Sequence, residues 1–217
     1  MEITSYVMDS SYKIEKLLIE GGWTEEEEIK REYNIHPSLR YLHSSHNVET
    51  GMTGVAFEDT TTKEIIIGYA GTNTTNDAWN DIRTDVVDIF AGAGGHYQSA
   101  FDFYEEVKNR YGDRITTVTG HSLGGNYAQM VAIEYNIPNG VVYNSAPLYL
   151  GTTELVKGGM NLYNASRQPY LAHIHTKDIQ KLLVVENKIN NYTGDMVRIR
   201  SKDDILNVGS EVGLGYS

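Results

Sequence analysis

The spacing of apolar residues changes several times along the chain, and each change predicts a new element. Residues 10–20 (SSYKIEKLLIE) and 25–33 carry apolar side chains at helical spacing on either side of a GGW turn, which predicts two short surface helices. Thr24 stands where an N-cap belongs. The TEEEE run puts acid in the first turn, where the helix dipole favours it, so this charge run reads as a solvated helix start. Pro37 and the polar SLRYLHSSHNVETG predict a connecting segment. From Thr53 the period drops to that of a strand. TGVAFED and KEIIIGYAG are β-rich runs joined by the polar DTTTK, predicting a hairpin. Phe101, Tyr104, Val107 and Tyr111 then fall at helical spacing, predicting a helix over 100–111 that Gly112 stops. ITTVT is a short strand rich in β-branched residues, and NYAQMVAIEYN a helix. GVVYNSAP predicts a buried strand, residues 154–165 and 177–188 helices, MVRIRS a last strand, and NVGSEVGLGYS a loose tail.

Strands alternating with helices imply an α/β fold, with a mostly parallel central sheet covered by helices on both faces. The 217 residues contain no repeat, linker or low-complexity block, so a single domain over 1–217 is expected, with 1–50 as a helical lead-in. Composition is that of a soluble globular chain, 40% apolar and 22% charged. A formal charge of -11 argues against nucleic acid as a partner and against electrostatic docking on an anionic bilayer. The absence of cysteine excludes disulfides, thiolate metal sites and cysteine nucleophiles. The first residues have no basic n-region followed by an unbroken apolar stretch, and no apolar run reaches the roughly 18 residues of a membrane span. Export, if it occurs, would take another route or involve a longer protein.

The sharpest chemical signal is VTGHSLGGNY, residues 118–127. Alone, G-x-S-x-G is weak, but here a strand precedes it and a small-residue helix follows, the setting a nucleophile elbow requires. Gly120 and Gly124 leave room for a sharp turn holding Ser122 strained. The N–H of Leu123, at the start of the following helix, is then aimed at the reacting oxygen. Phosphate binding or tight packing are the competing uses of such a turn. His121 adjoins Ser122, but neighbours on such a turn project apart, so a packing role is expected for it.

With three other segments, GHSLGG resembles the class 3 lipases of the α/β-hydrolase superfamily, the group containing the fungal secreted lipases. YAGTNTTNDAWNDI is similar to that family's oxyanion strand end and short lid helix, which implies Thr72 as the second oxyanion donor and Trp79 on the lid; Tyr69-Ala70 replace the usual Phe-Arg. GGHYQSAF is similar to the family's H-x-G-F helix start, making His96 structural, with Gln98 in place of the glycine. VRIRSKDDIL resembles the strand and loop carrying the catalytic acid. That alignment puts Asp204 on the acid, Asn207 on the usual proline, and leaves Asp203, Asp195 and Asp178 as alternatives. The resemblance runs from about Thr53 to Leu206. Similar lipase-like domains occur in Firmicute proteins exported by type VII secretion.

In this superfamily the triad runs Ser, Asp/Glu, His. The seven histidines are His36, His43, His46, His96, His121, His173 and His175, and none follows Asp204. Four readings stand: the chain is a fragment ending before its last strand and histidine loop; His173 or His175 serves out of order; a partner chain supplies the base; or the module is catalytically dead and binds a protein or lipid. A metal site built from His173, His175 and Asp178 would lack nameable further ligands, so no metal or other cofactor is expected. Without a base Ser122 is an ordinary alcohol, and this chain by itself is expected to hydrolyse esters poorly.

Trp79, Val86, Val87, Ile89 and Phe90 make the segment after Thr72 more apolar than an exposed loop. They predict either a lid over an acyl groove or a buried connection. A lid favours a lipid or phospholipid ester as substrate, met transiently at a membrane or micelle surface. A protein partner or a C-terminal secretion domain outside this chain would complete the picture. The rival class is a non-catalytic lipase-fold module.

Overall fold

The structure, a computed structural model, describes residues 2–20, 29, 34–71, 96–145, 184 and 187–201. Within them the elements are helix α1 (Glu2–Glu20), strands β1 (Leu39–His46), β2 (Thr53–Asp59) and β3 (Ile65–Ala70), helix α2 (His96–Tyr111), strand β4 (Ile115–His121), helix α3 (Leu123–Tyr135), and strands β5 (Asn139–Tyr143) and β6 (Asp195–Ile199). The six strands form one sheet in chain order. β1, β2 and β3 are an antiparallel meander, and β3 to β6 run parallel.

The covering of both faces explains the sequence pattern of the central strands. β3 is buried at every position, so it reads as a continuous apolar run instead of an alternation. Its side chains still alternate: Ile65, Ile67 and Tyr69 enter the cluster under α2 and α3, and Ile66 the cluster under α1. Each fully buried isoleucine contributes roughly 1.5–3 kcal/mol. Gly68 lets α1 approach, since a Cβ there would lie 2.9 Å from Cγ1 of Val7.

Three expectations change. β1 occupies the stretch expected to be a connection: LRYLHSSH is polar because only its first residues reach the core, and backbone pairing with β2 holds the rest. α1 starts at Glu2 instead of residue 10, with Thr4, Val7, Ser10, Ser11, Ile14 and Glu15 buried along one side. Its small hydroxyl residues hide an inward stripe that apolar spacing alone does not show. α2 likewise starts at His96, ahead of residue 100. Most of the helices expected over 25–33 and 177–188, and all of that over 154–165, lie outside the described residues, as does the tail.

Candidate active site

β4 ends at His121 and α3 begins at Leu123, so a single residue, Ser122, makes the whole strand-to-helix turn. Its backbone is at φ 53 and ψ -121, a left-handed conformation that a non-glycine residue holds at a cost of about 1–3 kcal/mol. Close packing enforces it. A Cβ at Gly120 would collide with the backbone of Gly124, and one at Gly124 with the carbonyl of Tyr69, so the turn closes only with glycine at both places. The Ser122 N–H donates to the Tyr143 carbonyl at 3.0 Å, and its own carbonyl accepts from Asn126 N at 3.2 Å. Its side chain makes no capping hydrogen bond to α3, so Oγ is not spent on the helix it precedes.

The end of β3 lies against this turn. A Cβ on Gly71 would stand 2.6 Å from Cβ of Leu123 and 2.7 Å from N of Gly124. Leu123 thus begins α3 packed beside Gly71, the residue that precedes Thr72. Thr72 itself, Trp79, Val86, Val87, Ile89, Phe90, His173, His175, Asp178, Asp203 and Asp204 all lie outside the described residues.

The described histidines are held by other partners. Nδ1 of His121 is 3.2 Å from the Tyr12 hydroxyl, which also donates to the His121 carbonyl at 3.1 Å. With its one hydrogen on the carbonyl, the hydroxyl accepts from Nδ1–H, which assigns the tautomer. His43 stacks on Phe103 at 5.7 Å and pairs with Glu106, and His46 meets Thr53 Oγ1 at 2.8 Å. Both are on β1, three strands from β4 and so roughly 14 Å across the sheet. Asp195 fails as a catalytic acid. It opens β6 beside Asn139, at the sheet edge away from Ser122, roughly 13 Å along the strand from Ile199. β6 instead ends beside Tyr143, at the Ser122 end of the strands, and Asp203 and Asp204 follow it in the sequence.

α1 contributes residues that the motif reading passed over. Burial pushes the Tyr12 hydroxyl up to about 12, helped by the charge of Glu15 and partly offset by a backbone hydrogen bond from Gly71. Tyr12 thus touches both strand ends that meet at the turn. Glu15 is 1% exposed, accepts from Thr53 Oγ1 at 3.2 Å, and has no partner on Oε2. Burial raises its carboxyl from 4.5 to about 7. A signal was present in the sequence: Glu15 lies beside Ile14 and one turn after Ser11, on the inward stripe.

Among the described residues no group of His, Asp or Glu is placed to hold a metal ion, and no helix is long and apolar enough to cross a membrane. A family model described as a Tle-like phospholipase domain matches residues 22–185. Among solved structures, the chain is similar to lipase II from Rhizopus niveus at 16% identity, covering 66% of this chain and 60% of that one, with TM-score 0.47. It is similar to the lipase from Rhizopus microsporus var. chinensis at 16% identity over 67% and 57%, with TM-score 0.44. For Lip2 lipase from Yarrowia lipolytica the values are 22% identity over 51% and 46%, with TM-score 0.38. The chain thus spans between 46% and 60% of the length of these lipases. Sheet topology and the serine turn together give an α/β-hydrolase type of fold.

Proposed function

The chain belongs to the Tle-like phospholipase family, and from that premise we propose that it is a serine-dependent lipid ester hydrolase acting on phospholipid. The observation that carries the reading is Ser122, held at φ 53 and ψ -121 between β4 and α3 without capping the helix. Strain of this kind, at a strand-to-helix turn, exposes a hydroxyl at the C-terminal edge of a parallel sheet.

Ser122 Oγ attacks the acyl carbonyl carbon while a base takes its proton. The oxyanion that forms is held by Leu123 N–H and by Thr72, whose neighbour Gly71 packs on the turn. Collapse breaks the ester bond, returns the proton to the leaving alcohol and leaves an acyl group on Ser122. Water, deprotonated by the same base, then releases the fatty acid and frees Ser122. Asp204, with Asp203 as alternate, orients the base, which is His173, His175 or a histidine outside these 217 residues. Trp79, Val86, Val87, Ile89 and Phe90 form the acyl groove or its lid.

The test is labelling by a fluorophosphonate, together with fatty-acid release from phosphatidylcholine vesicles and from emulsified triglyceride. In a form of the protein that holds the base, the expected result is a label on Ser122 and release from vesicles, both abolished by Ser122→Ala, while these 217 residues by themselves hydrolyse esters poorly unless His173 or His175 is that base. Preference for triglyceride would overturn the phospholipid assignment. Absence of any label would favour the second reading, a lipase-fold binding module.

A further inference from the structure

The parallel strands end in a short segment, Tyr143-Asn144-Ser145, that touches both halves of the proposed machinery. On one side, the Tyr143 carbonyl receives the Ser122 N–H at 3.0 Å. Ser145 packs under the same turn: a Cβ at Gly125 would sit 2.6 Å from its Cβ, and its Oγ accepts from Gln129 of α3 at 2.5 Å. On the other side, Asn144 N donates to the Ile199 carbonyl at 2.8 Å, adding a last rung after β5 and β6 have paired. The Asn144 side chain then reaches one step further, its Oδ1 accepting the Ser201 N–H at 2.7 Å.

Asn144 does this from φ 42, a left-handed backbone where glycine would be unstrained. A glycine would make the same turn and keep the bond to Ile199, but would lose the bond to Ser201. The position therefore carries strain in return for one contact, and that contact falls two residues before Asp203 and three before Asp204. We propose that Asn144 is a positioning residue: through Tyr143 and Ser201 it couples the Ser122 turn to the point from which the chain continues in sequence to the proposed catalytic acid. This rests on the serine-hydrolase reading above.

Asn144→Gly separates the side chain from the backbone, and Asn144→Asp restores an acceptor at the same place. Two measurements on the full chain decide the matter: hydrogen exchange of the amides at 200–206, and the rate of fluorophosphonate labelling at Ser122. In Asn144→Gly the Ser201 amide should exchange about fivefold faster, the factor that one ordinary hydrogen bond carries. Labelling should slow by a similar factor, with kcat for a short-chain ester falling and KM and Tm unchanged. Asn144→Asp should recover most of each. Unchanged exchange in Asn144→Gly, or faster exchange with unchanged labelling, overturns the proposal while leaving the hydrolase reading standing. A wild-type chain that never labels sinks the hydrolase reading, and with it the positioning role.

Discussion

Replacing Glu15 by glutamine probes the burial of a carboxyl beneath the sheet. Glu15 is 1% exposed between α1 and the sheet, with Thr53 on one oxygen and nothing on the other. Burial raises its pKa from 4.5 to about 7, because the charged form loses hydration that a single hydroxyl does not replace. The folded chain therefore holds the proton more tightly than the unfolded one. The resulting stability is whole below pH 4.5 and is lost as pH rises through about 7. At 1.36 kcal/mol per pKa unit the displacement corresponds to about 3 kcal/mol. Local relaxation and water penetration discount this to about 1–2 kcal/mol. Glu15→Gln keeps the shape and the Thr53 contact but cannot ionise. It should match the wild type near pH 4.5 and exceed it at pH 8.5 by about 2–8 °C in Tm, given roughly 2–4 °C per kcal/mol for a domain of this size. Calorimetry at the two pH values measures this. His46, bonded to Thr53, has a pKa lowered by burial, but it is present in both chains and largely cancels from the difference. A Tm difference that is equal at both pH values, or a variant less stable at pH 8.5, would refute the reasoning.

Three further outcomes follow from the packing. Gly124→Ala should lose about 2–3 kcal/mol in urea denaturation, since the added methyl meets the carbonyl of Tyr69 and lies 2.9 Å from Gly71 N, backbone atoms that cannot swing aside; a wild-type midpoint would contradict this. Tyr12→Phe keeps the ring but removes both contacts to His121. It should cost about 1–2 kcal/mol and redistribute the His121 tautomers seen by nitrogen NMR, whereas an unchanged imidazole spectrum would count against the assignment. Glu58 accepts from Arg114 at 2.7 Å and Arg40 at 2.9 Å, and the Arg114 hydrogen bond leads in holding its carboxyl below the usual range. Its stabilisation is present above the ordinary glutamate pKa and is lost as pH falls through the lower folded value, so Glu58→Gln should flatten the acid limb of Tm against pH.

The sequence by itself determined the parts whose cause is local. Continuous apolar runs, β-branched strands and a glycine-flanked serine are properties of a few adjacent residues, so the β2–β3 hairpin, the β4–α3 turn and the alternation of strand and helix were readable from VAFED, IIIGYA and ITTVTGHSLGG. The tertiary structure decided what depends on pairing across distance. β1 exists because backbone hydrogen bonds to β2 hold a polar stretch, which no hydrophobic pattern announces. Asp195 left the candidate acids only when β6 was seen to run parallel to β5, placing it at the far edge of the sheet. Tyr12, Glu15 and Asn144 carry no motif. Each became visible through a partner 38 to 109 residues away, or through a backbone angle that sequence does not encode one residue at a time. The strained turn at Ser122 is a steric consequence of its flanking glycines. The groups that position it are brought together only by the packing of a helix and strands from distant parts of the chain.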